Sequence, residues 1–182
     1  GINSDGSRIV VSDFSTPEIE VFDFINNSWV LNSTLISNQA YYGKLSDDGN
    51  TLITFTNASG SVKYFSFDNI NLQWELIHEQ GIFNTGRYDV TSNLQYFTSS
   101  SPIDGTNYNG SVKVYEKNLN SFEQIGQTIY GNDEYDFLGD HSSLSENGNV
   151  LAVTLRSNKV KVYEKNSLNW IEKGNTIDLY AR

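Results

Sequence analysis

The sequence predicts an all-β protein, a β-propeller built of four-stranded antiparallel blades with four repeats visible, either a small closed ring or part of a larger one. Three observations carry this. An alternating octet, GSVKVYEK at 110–117, returns as NKVKVYEK at 158–165 and more loosely as GSVKYFSF at 60–67 and EIEVFDF at 18–24. Period-two alternation rich in Val, Tyr and Phe is the mark of a strand. The copies also keep step: Ile19, Val62, Val112 and Val160 fall 43, 50 and 48 residues apart, the period of propeller blades. Finally, an aromatic follows each copy. Ten residues separate Ile19 from Trp29, Val112 from Phe122 and Val160 from Trp170, and twelve separate Val62 from Trp74. No 3.6-periodic segment competes with this reading.

Each blade is then expected to run A, B, C, D, in one domain of repeat units at about 1–40, 41–86, 87–137 and 138–182. Strand A is YYGKLS at 41–46, RYDVT at 87–91 and HSSLS at 141–145. A Ser-acid-Gly turn leads into an apolar strand B: SDGSRIVVS at 4–12, SDDGNTLITF at 46–55 and SENGNVLAVTL at 145–155. Gly6, Gly49 and Gly148 supply the positive φ of a tight hairpin. The third copy, VTSNLQYFTS at 90–99, lacks the glycine, and Asn93 is expected in the left-handed position. Strand C is the repeated octet, and strand D carries the aromatic, expected to pack blade against blade. The chain opens on a B strand, and NTIDLYAR at 175–182 matches a fresh A strand. That segment is expected to complete the first blade, with Ile177 and Leu179 pointing inward.

Composition bounds the function. The 182 residues include 11 Tyr, 10 Phe and 3 Trp, ample for one cored domain. The absence of Cys excludes disulfides, thiolate metal sites and a cysteine nucleophile. A net charge of -10 with scattered Lys and Arg argues against nucleic acid and is read as solubility. No apolar run reaches the ~20 residues of a membrane span, so no membrane insertion is expected. No signal peptide is visible, and a chain that starts at Gly1 without any Met reads as a processed product or an excerpt of a larger chain or assembly.

The run GSVKVYEKNLNSFEQIGQTIYGNDEYDFLGDHSSLSENGNVLAVT at 110–154 resembles the FG-GAP-like, integrin-α-like repeats of secreted and surface β-propellers. Those repeats combine a G-x-V-x-V-Y strand, a W-x-Q-I-G strand, a G-D loop and an S-L-S-x-D-G turn. The resemblance implies an extracellular or surface-exposed location, with adhesion or protein binding; similar repeats in large viruses make a structural role in the virion the alternative. One branch of the family binds calcium through D-x-D-x-D-G, with alternating carboxylates around the ion. Here the loops read NSDG, SDDG and SENG, so Asp5, Asp48 and Glu146 are read as turn residues.

Candidate sites are few. The loop at 132–141 gathers Asp133, Glu134, Asp136, Asp140 and His141. It reads as an acidic solvated loop, with Asp133, Asp136 and Asp140 as weak metal candidates or a carboxylate pair for acid–base work. Strand A lines the channel of a propeller, which places Tyr41, Tyr42, Lys44, Arg87, Asp89 and His141 near its mouth as candidate ligand contacts. The competing reading has Lys44, Arg87 and Asp89 pairing with one another in the channel wall. His78 and His141 are the only histidines, and no G-x-S-x-G elbow exists. The expectation is therefore a non-enzymatic interaction or adhesion module, without cofactor, whose partner is a protein. Alternatives are a glycan-binding propeller using Tyr41, Tyr42, Tyr88, Tyr108 and Tyr135, and a hydrolase dependent on Asp140.

Overall fold

Strand alternation becomes four antiparallel sheets. The computed structural model describes residues 1–12, 18–36, 40–56, 60–82, 86–119, 121–156 and 158–179, and the side chains of these except Ile36, Ala40 and Tyr41. The chain divides into two compact units, Gly1–Phe83 with Ser92–Leu94, and Asn84–Thr91 with Gln95–Arg182. The β-propeller fold is thus present as four consecutive blades, two to a unit.

In the first unit, β1 (Arg8–Ser12), β2 (Glu18–Ile25) and β3 (Ser28–Ile36) form one sheet. The second sheet contains β4 (Ala40–Leu45), β5 (Thr51–Thr56), β6 (Ser61–Asp68) and β7 (Gln73–Gly81), paired in chain order. Inward residues of both sheets share a core of Val10, Ile19, Val21, Leu45, Leu52, Phe65, Phe67 and Trp74. Burying each such side chain contributes roughly 1.5–3 kcal/mol.

In the second unit, β8 (Arg87–Val90), β9 (Tyr96–Ser101), β10 (Ser111–Asn118), β11 (Ser121–Gln124) and β12 (Ile129–Tyr130) form the third sheet. The fourth contains β13 (Ser142–Leu144), β14 (Val150–Leu155), β15 (Lys159–Asn166), β16 (Asn169–Glu172) and β17 (Ile177–Asp178). Val112, Val114, Leu138, Leu151, Val153, Tyr163 and Trp170 lie in its core. Strand D is broken in both of these blades: β11 and β12 both pair with β10, and β16 and β17 both pair with β15. In the first two blades strand D is continuous and the register shift is taken up by a bulge, at Val21/Phe22 and Tyr64/Phe65.

The A–B turns share one hydrogen-bond scheme. The side-chain oxygens of Asn3, Ser46, Thr91 and Ser145 accept the N–H groups of Arg8, Thr51, Tyr96 and Val150, at 2.9–3.0 Å. Three residues on, the chain needs positive φ, found at Gly6, Gly49 and Gly148. In the third blade this position is Leu94, at φ 55, and not Asn93. Its side chain is fully buried, and that burial offsets the ~1–2 kcal/mol cost of a left-handed L-residue. Asp5 and Asp48 act as turn residues, accepting the N–H of Ser7 and Asn50. In the fourth blade the role falls to Asn147, one residue after Glu146.

The closing strand is a correction. Residues 177–178 pair with β15 of their own blade, leaving Ile177 and Leu179 49% and 55% exposed. Beside β1 the place of an A strand is taken by the first residues of the chain. Ile2 bridges Ile9, and Gly1 exchanges backbone hydrogen bonds with Val10. The four repeat aromatics divide as well: Trp74, Phe122 and Trp170 are buried, whereas Trp29 is 44% exposed.

Candidate functional site

The residues with the most chemistry converge in the second unit, around the segment 131–141 that joins β12 to β13. Its path is fixed by backbone hydrogen bonds on two sides. Tyr135, Phe137 and Leu138 donate to the carbonyls of Asn107, Tyr108 and Asn109 in the β9–β10 loop, while Gly139 donates to Thr154 at the end of β14. Arg156 returns a bond to the carbonyl of Asp136 at 2.7 Å. Leu138 is fully buried and anchors the segment. Gly139, at φ 102, passes so near strands β9 and β10 that a Cβ would meet Ser100 and Ser111 at 2.9 Å.

The β9–β10 loop is braced in turn. Ser111 donates to Asp104 at 2.6 Å. That hydrogen bond, chiefly, holds the Asp104 carboxyl below its ordinary range; burial opposes it, while the Gly105 N–H and the charge of Lys113 assist.

Immediately after Gly139 come Asp140 and His141, facing Arg87 at the start of β8. Arg87 Nη2 lies 2.9 Å from Asp140 Oδ1, and its Nη1 lies 3.5 Å from His141 Nε2. A guanidinium can only donate, so the latter contact uses Nε2 as acceptor, with the imidazole proton on Nδ1. The His141 backbone is pinned to Thr154, whose Oγ1 accepts its N–H at 2.8 Å. Arg87 and Asp140 are half exposed, so a cation, a carboxylate and an imidazole open together to solvent. Such a trio can bind an anionic or carbonyl oxygen beside a proton acceptor.

The same segment also contributes Tyr135 and Phe137 to a ladder of rings. Tyr108 stacks on Phe137 at 6.0 Å with 9° between planes, and on Tyr135 at 6.1 Å. Arg156 lies over Phe137 at 4.8 Å. Asn107, Tyr108, Tyr135 and Phe137 all have φ between 47 and 62. Non-glycine residues held left-handed cost energy and cluster at functional sites.

Of the expected channel residues, the structure gathers Arg87 and His141 and adds Asp140. Asp89 is engaged elsewhere, where its Oδ2 accepts the Leu144 N–H at 3.0 Å and ties β8 to β13. Arg87 therefore pairs with Asp140, not Asp89. Tyr42 and Lys44 lie on β4 in the first unit, where the Tyr42 ring sits 6.0 Å from Phe55; the side chain of Tyr41 lies outside the described residues. Asp136 caps its own loop, accepting the N–H groups of Asn132 and Asp133. Among the described residues no group of three or more His, Asp or Glu side chains could hold a metal ion. Sequence reasoning missed Phe137 and Arg156, for which no local pattern exists. A cleft of about 640 Å³ lies apart from the trio, lined by residues including Gln95, Glu116, Lys117, Gln124, Lys165 and Leu168. Its lining comes from both the third and the fourth blade.

No family model and no curated protein matches this chain. Solved structures do. A candidate 6-phosphogluconolactonase from Bacteroides uniformis superposes with a TM-score of 0.70 at 18% identity, over 98% of this chain and 53% of that one. The periplasmic gluconolactonase of Pseudomonas aeruginosa gives 0.64 at 10%, over 97% and 52%. The Cps50 β-propeller domain of Myceliophteria thermophila gives 0.68 at 11%, over 96% and 56%. The chain thus spans about half the length of these propellers, and the likeness is one of fold. The expectation of a non-enzymatic adhesion module, with its glycan-binding and virion alternatives, is corrected by these neighbours. Several structures sharing the fold are described as lactone hydrolases, so the lack of a catalytic sequence motif does not make this chain a binding module.

Proposed function

We propose that the chain carries a hydrolytic site for sugar-derived lactones, centred on Arg87, Asp140 and His141. The observation that supports it is the Arg87 guanidinium set between a carboxylate and an imidazole at a solvent-open position. In this reading Arg87 receives the lactone carbonyl oxygen and the negative charge that grows on it as water adds. His141 Nε2, giving up its 3.5 Å contact with Arg87 as the lactone oxygen takes the guanidinium, accepts the proton from the attacking water and returns it to the ring oxygen as the ring C–O bond breaks, giving the free hydroxy acid. Asp140 keeps Arg87 in place. The rings of Tyr135, on the same segment, and Tyr108, in the β9–β10 loop bonded to it, offer the sugar ring a stacking surface. Descriptions of fold neighbours as 6-phosphogluconolactonase and gluconolactonase favour this substrate class, by analogy of fold alone.

The test is acid release from glucono-1,5-lactone and its 6-phosphate, at constant pH, against the spontaneous rate. Turnover that falls about a hundredfold or more in His141→Ala is expected. A rate equal to the uncatalysed one on both substrates would dismiss the proposal.

A further inference from the structure

Arg156, the residue after β14, stands apart from the other described arginines. Arg8 is committed to the Asp23 carboxylate and the Gly49 carbonyl, and Arg87 to Asp140. Among the described residues the Arg156 guanidinium forms no ion pair or hydrogen bond; it lies instead over the Phe137 ring at 4.8 Å, in an exposed position. Nor does the blade architecture call for a cation here. Aligning strand B of three blades on Leu52, Phe97 and Leu151, which face Phe65, Tyr115 and Tyr163 of strand C, puts Asn57 and Pro102 at the step that Arg156 takes in the fourth.

A guanidinium laid over an aromatic face is held in place while its N–H groups, all in its own plane, stay free at the rim. That makes a preorganised fork for a phosphate or a carboxylate. The acids of the neighbouring segment are engaged by other donors: Glu134 by Asn107, Asp136 by the amides of Asn132 and Asp133, and Asp140 by Arg87. The fork also has a fixed relation to the trio. Residues 136–141 run beside 154–156 in the opposite direction. Arg156 donates its N–H to the Asp136 carbonyl, Gly139 to the Thr154 carbonyl, and Thr154 to the His141 carbonyl. His141 is thus moored to Thr154, two residues from Arg156, a backbone separation of about 7 Å in extended chain. The span of an aldohexose from its lactone carbon to the substituent on C6 is comparable.

We infer, resting on the hydrolytic reading above, that Arg156 is a specificity residue for the same site. It receives an anionic group, a phosphate or a carboxylate, at the end of the sugar remote from the lactone, so that acidic sugar lactones are taken in preference to neutral ones. Phe137 stacks on Tyr108, one of the two rings offered to the sugar, which sets the anion at the edge of the same aromatic surface. Arg156 touches neither the attacking water nor the reacting carbonyl. Its contribution therefore falls on substrate binding and appears in KM, with kcat carried by the trio.

The experiment measures kcat and KM for glucono-1,5-lactone, its 6-phosphate and a lactone of glucaric acid, which carries a C6 carboxylate, in the parent chain, Arg156→Gln and Arg156→Lys. The parent should favour an acidic substrate over the neutral lactone by about tenfold or more in kcat/KM. Arg156→Gln should collapse that ratio through KM, and Arg156→Lys, which keeps the charge without the fork, should retain part of it. Preference for the phosphate or for the carboxylate tells the two anions apart, and either supports the inference. A parent ratio near unity, or a ratio that Arg156→Gln leaves unchanged, overturns the inference while the hydrolytic reading stands. Spontaneous rates on all three substrates overturn that reading and this inference with it.

Discussion

Trp170 lies so close over Gly126 that a methyl group on the glycine would stand 2.7 Å from its Cδ1. This packing is the seam between the third and fourth blades, and it makes two similar glycines respond differently. Gly126→Ala combines overpacking with a left-handed alanine and should cost about 2–4 kcal/mol. At Gly174, its counterpart in the fourth blade, nothing stands within 4 Å of the Cβ position, so Gly174→Ala adds strain alone, about 1 kcal/mol. Urea unfolding of the two variants beside the parent chain checks the difference.

Acid should weaken the first unit through Asp23. Burial disfavours its charge, but hydrogen bonds from Arg8 and Asn32 and the charge of Arg8 outweigh this and hold its carboxyl below the ordinary range. Because the folded value is depressed, the stabilisation is present above the unfolded carboxylate pKa of ~3.9 and is lost as pH falls through the folded one. Asp23→Asn should lower stability at pH 7 and flatten the acid limb of a urea-midpoint profile. An unchanged slope below about pH 5 would show that other carboxylates govern it.

Alkali should act through Tyr163. Burial, and then the charges of Glu172 and Asp136, push its hydroxyl up to about 12. A raised folded value means stability that is intact below the unfolded tyrosine pKa of ~10 and declines as pH rises through the folded one. Spectrophotometric titration should show Tyr163 ionising last, after the exposed tyrosines and after Tyr88, Tyr96 and Tyr115, whose hydroxyls burial also raises, and Tyr163→Phe should remove only the latest step.

The trio makes a separable kinetic prediction. Asp140→Asn should keep Arg87 nearby yet loosen its orientation, lowering kcat about tenfold with a smaller change in KM. Arg87→Lys should not rescue activity, since a point cation cannot span Asp140 and His141 as the planar fork does. Equal losses in both parameters for every substrate would point to misfolding of the 131–141 segment.

Most of the architecture could be read from the chain because strand C repeats nearly letter for letter and its inward residues recur at fixed spacing. What escaped reading depends on contacts between distant residues. Leu94 adopts the left-handed turn because the hairpin demands it and burial tolerates it, a choice invisible beside Asn93. The short strands at Ile129 and Ile177 pair two residues each, too few to leave a periodic signal. Arg87 and Asp140 are 53 residues apart, and only the anchored path of Leu138 and Gly139 brings them together. Arg87, Asp140 and His141 were each recognisable as candidates; their arrangement was not. The ring ladder was half visible, as Tyr108 and Tyr135, whereas Phe137 and Arg156 joined it only through backbone bonding between two loops.

The interruption of strand D has a consequence for modularity. Strand C keeps a partner before and after the excursion, up to the bonds that Ile125 and Lys173 donate to Val114 and Val162, so no part of the ladder must open when residues 126–128 or 174–176 change. Recognition between neighbours is thereby uncoupled from the integrity of either one. A chain gaining, losing or exchanging a repeat needs to rewrite only a few positions outside the hydrogen-bonded lattice.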